Sequence, residues 1–276
     1  MSAQPKAARA AVADAQLVLR ERDKDIAILV LNRPQARNSL SEEMLAALSS
    51  AFAAVAADKT IRAVVLAANG LTFCAGHDLK EITAHRADSD GGLVYTRRLM
   101  QDCSTLMQAI IALPQPVIAA VEGVATAAGC QLVATCDLAV ASASAKFSTP
   151  GVQIGLFCST PMVALTRNVG RKAAMEMLLT GEMIRAEQAL GIGLINRVAG
   201  AGKARDEAIR LARKITAKSA AIVKLGKQAF YRQFDMNLAD AYAYTSEVMV
   251  QNMMAPDAEE GIGAFVDKRD PRWHDR

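Results

Sequence analysis

The sequence predicts an α/β fold, a spiral of repeated strand–strand–helix units followed by a helical region from about residue 203. Three observations carry that expectation. The apolar runs at residues 63–68 (AVVLAA) and 117–121 (VIAAV) are continuous rather than alternating, as in strands buried on both faces. Between such runs, apolar residues recur at helical spacing. Beyond residue 203 the strand-like runs stop. The reading divides the chain into a flexible arm at 1–15, an α/β core at 16–202 and a helical region at 203–276.

In chain order, residues 16–22 and 26–32 read as two short strands, with Asp23, Lys24 and Asp25 as the turn. A helix starts after Ser41, which precedes Glu42 and Glu43; the cap is Ser41, or Ser39 with Glu42 as a capping box. Leu45, Leu48, Phe52 and Val55 give that helix its inner face. After the 63–68 strand, a helix over 95–113 ends at Pro114 and Pro116. The 117–121 strand leads through Gly123 into a small-residue helix at 126–135, and 137–141 is a further strand. In the tail, Leu238, Ala241, Tyr242, Thr245, Val248 and Met249 form an apolar stripe, fit for a core or a subunit interface.

Several function classes fall away. The 276 residues carry 32 basic and 28 acidic side chains without clustering, which is no footprint for nucleic acid or an anionic membrane. No apolar run approaches the ~20 residues of a spanning helix, so no membrane partner is expected. Five cysteines without CxxC spacing and three histidines make no metal-ligand cluster. The thiols read as small buried hydrophobes in a reducing compartment. The opening residues lack a secretory pattern, which predicts a cytoplasmic protein, or a mitochondrial one if the short arm is a processed remnant. Glycine-rich dinucleotide and phosphate loops, a G-x-S-x-G elbow and an H-E-x-x-H pair are all missing.

Two loops carry the chemistry: residues 73–81 (FCAGHDLKE) and 121–131 (VEGVATAAGCQ). Each places small residues between a strand and a helix start, where backbone N–H groups lack intrahelical partners. Two such groups aimed at one point form an oxyanion hole, which stabilises charge developing on a carbonyl oxygen. Either loop alone is only a tight turn; a third segment, NRPQARNSL at 32–40, strengthens the pair.

With CDLAVAS and FSTPGVQIGL following in order, these motifs make the chain resemble the crotonase (enoyl-CoA hydratase/isomerase) superfamily from about residue 16 to residue 269. The resemblance implies a crotonase-type ββα spiral core, with C-terminal helices that build a homotrimer or a hexamer. It implies an acyl-CoA thioester as substrate, with no separate cofactor and no metal, and a lyase of fatty acid metabolism. It places the oxyanion N–H groups at His77 and Ala128, where alanine in place of the commoner glycine keeps the donor. Ala36, Arg37, Ala75, Asp78, Leu79 and Lys80 would line the coenzyme A groove, and Lys268 would sit near its phosphates as a point-charge binder.

The pattern then breaks. The family hydratases move protons with two glutamates, and their positions here hold Gln131 and Gly151. A further slot used by isomerase and dehalogenase members holds Ser159. Glutamine exchanges no proton near neutral pH and glycine has no side chain. Enoyl hydration is therefore expected to be weak or absent. The alternatives are another thioester reaction, hydrolysis or enolate chemistry with water and His77, or acyl-CoA binding without catalysis. His77, Gln131, Gln153, Cys158 and Ser159 are the side chains expected to face the acyl pocket, with Glu122 and Asp137 in solvated or capping roles.

Overall fold

A computed structural model describes residues 16–275, so the arm expected at 1–15 lies outside the described residues. The chain opens with a hairpin, β1 (Val18–Asp23) and β2 (Ile26–Leu31). Asp23 pairs with Ile26, so it belongs to the strand rather than to the turn, and Lys24 takes the left-handed backbone conformation at φ 57°. Then come α1 (Glu42–Ala57), β3 (Ala63–Ala68), β4 (Thr72–Cys74), α2 (Leu79–His85) and α3 (Leu93–Ala112). The next units are β5 (Val117–Val121), β6 (Val124–Thr126) and α4 (Ala128–Thr135), then β7 (Leu138–Ser142) and β8 (Lys146–Ser148). A 3-10 turn at Pro150–Ile154 leads to α5 (Ser159–Leu165), α6 (Arg171–Thr180), β9 (Ile184–Arg185), α7 (Ala186–Gly191) and β10 (Arg197–Ala199). The tail is α8 (Ala204–Thr216), α9 (Ala220–Phe234), α10 (Leu238–Met253) and α11 (Pro256–Val266).

The strands form two sheets, β1-β2-β3-β5-β7-β10 and β4-β6-β8-β9. Each repeat gives a long strand to the first sheet and a short one to the second: β3 then β4, β5 then β6, β7 then β8. That alternation generates the expected spiral. All six residues of β2 and all five of β5 are buried, because helices cover both faces of the large sheet. Ile26, Ile28 and Val30 pack toward α8 with Ala208 and Leu211. Leu29 and Leu31 point the other way, into the core with Phe52 of α1 and Leu106 of α3. Side chains of successive strand residues alternate between faces, so one continuous apolar run feeds two cores.

The caps discriminate the two readings of the α1 start. Ser41 Oγ accepts the Met44 N–H at 3.2 Å, while Ser39 Oγ is turned to Asp78. Glu122 behaves as a cap, accepting the Arg205 N–H in the first turn of α8 at 3.3 Å. Asp137 does not: it is neither solvated nor a helix cap. Its carboxylate holds Lys227 Nζ of α9 at 2.7 Å, the Val117 N–H at 2.7 Å and the Tyr231 hydroxyl at 2.9 Å. Lys227 also donates to the carbonyls of Ile110 and Gln115, each at 3.1 Å. Burial pushes the Lys227 amine down, and Asp137 pulls against that shift. The ammonium remains paired, and this cluster is the polar anchor of α9 on the core. The stripe on α10 is not core of this chain, since Leu238 is 76% and Tyr242 68% exposed.

Candidate active site

β4 and β6 are parallel neighbours, so the loops leaving their C-terminal ends run side by side. Thr126 Oγ1 donates to the Ala75 carbonyl at 3.1 Å and ties the two loops together. The contact is close enough to require glycine. At Gly76, φ 91°, a Cβ would stand 2.9 Å from Ala127 Cβ and 3.2 Å from the Ala128 nitrogen. At Gly129 it would stand 2.1 Å from the Cys74 carbonyl oxygen.

The first loop is held by a bridge to Leu40. The Leu40 N–H donates to Gly76 O at 2.8 Å and the Asp78 N–H to Leu40 O at 3.2 Å. Backbone groups alternate in direction along an extended chain, so the N–H of His77, between those two, points away from Leu40. In the second loop Ala127 caps α4 at φ 51° and ψ −121°, a conformation that normally calls for glycine. Its own N–H donates to Ser148 O at 3.0 Å, and the helix begins at Ala128. Neither the His77 nor the Ala128 N–H has a partner among the described residues.

Both residues line one cavity of about 520 Å³. Ala75, Ala127, Gly151 and Cys158 line it too, with Leu79, Ile82, Met100, Leu156, Phe157 and Pro161 as apolar wall. Two unpartnered backbone donors on the wall of one apolar cavity can hold the oxygen of a polarised carbonyl with an acyl chain beside it. Both ring nitrogens of His77 are shielded from solvent and unpartnered. Burial lowers the imidazole pKa, so the ring stands neutral in the site.

The expected pocket residues divide. His77, Gln153, Cys158 and Ser159 line the cavity. Gln131 does not: it lies one turn into α4, 5% exposed, with its Oε1 buried and unpartnered. Gln153 donates to Gly181 O at 3.1 Å and Ser159 Oγ lies 3.4 Å from Phe157 O, so both are engaged with backbone. At Gly151 the backbone is outside the left-handed region, and the constraint is space. A Cβ there would meet Cys158 Sγ and Leu156 O, both at 3.0 Å.

For the groove residues, Ala75 and Leu79 line the cavity. Ala36 ends a 3-10 turn, and the exposed Arg37 that follows accepts the Ala75 N–H at 3.1 Å, so that neighbourhood borders the rim. Asp78 is turned inward instead. It caps α2 through the Lys80 N–H at 3.1 Å and pairs with Arg33 Nη1 at 2.8 Å and Ser39 Oγ at 3.2 Å. Burial pushes its carboxyl up, but Arg33 and the N–H groups of Lys80 and Glu81 outweigh that and hold it below its usual value. Lys80 is exposed on the first turn of α2, and Lys268 is exposed just after α11, away from the cavity wall. Asn38 of the NSL segment is structural. Fully buried, it accepts the Arg33 N–H at 2.8 Å and donates to Asn69 O at 2.9 Å and Thr72 O at 2.8 Å. No group of three or more His, Cys, Asp or Glu side chains suited to a metal occurs among the described residues, and none of their helices is long and apolar enough to cross a membrane.

Comparison with known proteins assigns the family and the fold. A family model described as enoyl-CoA hydratase/isomerase matches residues 21–276. The Xenopus laevis enoyl-CoA hydratase domain-containing protein 3, mitochondrial, is 47% identical over 257 residues, 93% of this chain and 86% of that protein. Its Homo sapiens counterpart is 47% identical over 245 residues, 89% of this chain and 79% of that protein. The crystal structure of human enoyl coenzyme A hydratase domain-containing protein 3 superposes with a TM-score of 0.87 at 45% identity, covering 93% of this chain and all of that one, 100%. A Mycobacterium smegmatis enoyl-CoA hydratase structure superposes at 0.88 with 53% identity, covering 94% and 99%.

Proposed function

The chain belongs to the enoyl-CoA hydratase/isomerase family, and from that premise we propose that its cavity binds acyl-CoA thioesters with the carbonyl oxygen between the His77 and Ala128 N–H groups. The observation that carries this reading is the pair of unpartnered N–H groups on residues lining one apolar cavity. Ala75, Leu79 and the Ala36–Arg37 rim would receive the pantetheine arm, with Lys80 and Lys268 as exposed cations for the phosphates. Asp78 serves the site indirectly, bracing the first loop through Arg33.

Hydration of an enoyl thioester by this chain is expected to be slow or absent. It needs a base for water and an acid for the α-carbon, each worth ~10²–10⁴-fold. No carboxylate lines the cavity. The His77 imidazole, held neutral by burial, is the one nitrogen base among the lining residues, so slow hydrolysis or enolate chemistry is the second reading.

One titration separates these readings. Crotonyl-CoA is followed by enoyl-thioester absorbance and by free thiol, beside calorimetry with butyryl-CoA and with its thioether analogue lacking the carbonyl. Tighter binding of the thioester than of the thioether supports the oxyanion assignment; equal affinity removes it. Loss of enoyl absorbance at ~10³ s⁻¹, the upper end of ordinary turnover, would show a competent hydratase. Release of thiol would favour hydrolysis.

The exposed apolar faces of the tail support a homotrimer, alone or paired as a hexamer; light scattering that finds a monomer would exclude both. The relatives are mitochondrial by name, which supports the mitochondrial alternative and lends nothing to a cytoplasmic one.

A further inference from the structure

We propose that Cys158 captures α,β-unsaturated acyl thioesters covalently, as a thioether at the β-carbon. The inference rests on the reading of the cavity as an acyl-thioester site and goes beyond it. Cys158 lines that cavity and is 7% exposed, so its thiol faces enclosed space rather than bulk water. Its Sγ fills room that a side chain at position 151 would need, 3.0 Å from where the Cβ of that residue would stand. The same cavity carries the two free backbone donors of His77 and Ala128. Among the lining side chains Cys158 alone offers a thiol, whose soft sulfur is matched to an activated alkene and attacks as its proton is given up.

Burial raises the Cys158 thiol pKa, so the group enters the reaction protonated. Conjugate addition uses both halves of an S–H group. The sulfur lone pair forms the S–Cβ bond as the Cα=Cβ π pair moves toward the carbonyl. The enolate oxygen then faces the His77 and Ala128 N–H groups. The thiol proton ends on Cα. Nothing is oxidised or reduced, coenzyme A stays attached, and the reverse step is β-elimination. Attack on the carbonyl would differ in kind, since it leaves an S-acyl cysteine and releases coenzyme A thiol.

Selectivity follows from placement. Cys74, Cys103, Cys130 and Cys136 are buried outside the cavity wall, and burial pushes the first three up to about 12.

The test is intact mass spectrometry of the full chain after incubation with crotonyl-CoA and denaturation, with peptide mapping. The expected result is a mass gain of one whole crotonyl-CoA, mapped to Cys158. It should be lost in Cys158→Ser that melts as a folded protein, and kept in Cys103→Ala. Butyryl-CoA, which has no alkene, should bind by calorimetry and leave no adduct. Butyryl-CoA binding without a crotonyl-CoA adduct overturns the capture and leaves the acyl-thioester reading standing. Failure of both ligands to bind overturns both. A gain of the crotonyl group alone with release of coenzyme A thiol, or an adduct mapped to another cysteine, also overturns the capture.

Discussion

Helices α4 and α10 stand in opposite environments. All eight residues of α4 are buried, whereas none of the sixteen in α10 is. The small side chains of α4 let its backbone lie against β4, so its sequence is set by how near two chains must come. On α10 the large apolar residues Leu238, Tyr242, Met249, Val250 and Met253 are exposed, and nothing among the described residues covers them. The α/β layer is therefore stabilised by its own packing. Beyond α8, which packs on the large sheet, the tail is fastened through Lys227 and Asp137, with apolar surface left for another partner to cover.

The sharpest way to break that contrast is a pair of phenylalanine truncations. Phe147→Ala in the fully buried interior should cost ~3–5 kcal/mol in urea unfolding. Phe265→Ala, at a side chain 84% exposed, should stay within ~0.5 kcal/mol in dilute protein and weaken self-association. Equal losses would show that the tail is packed as tightly as the core.

Next in size, Asp137→Ala should cost ~3 kcal/mol or more, because it strands the Lys227 ammonium in the interior. Hydrogen exchange should rise first in α9. Uniform exchange across the chain would mean that the anchor is not local.

Smaller still, Ala127→Gly should raise stability by ~1 kcal/mol, by relieving a left-handed alanine ahead of α4. No gain would mean that the surroundings already compensate.

The smallest effect concerns acid. Asp78 is held below its ordinary 3.8, so an unfolded chain takes up the proton first. Its stabilisation is present above about pH 3.8 and is lost as the pH falls through the lowered folded value. Asp78→Asn should flatten that part of the acid stability curve; an unchanged acid limb would remove Asp78 as a contributor.

Legibility in the sequence followed the number of positions each feature occupies. β3 and β5 stood out because five consecutive residues in each are buried, on both faces of the sheet. β4, β6 and β8 have three residues each, too few to display a period, and so the second sheet was invisible. The two site loops were legible because free backbone donors in close approach demand small residues. The walls were not, since Ile82, Met100, Leu156 and Phe157 meet only once the chain is folded. Asp137 was misread because Lys227 lies 90 residues further on. Asp78 was assigned to the groove because Arg33, 45 residues earlier, gave no local sign of claiming it.

The crowding at Gly151 bears on how readily such a chain changes its chemistry. A carboxylate cannot simply be added at that position, because Cys158 Sγ and the Leu156 carbonyl oxygen already stand 3.0 Å from its first carbon. The thiol must shrink or swing away for an acid to fit, so the single substitution is strained unless Cys158 gives way. An acid at that position is therefore best accommodated together with a smaller side chain at position 158.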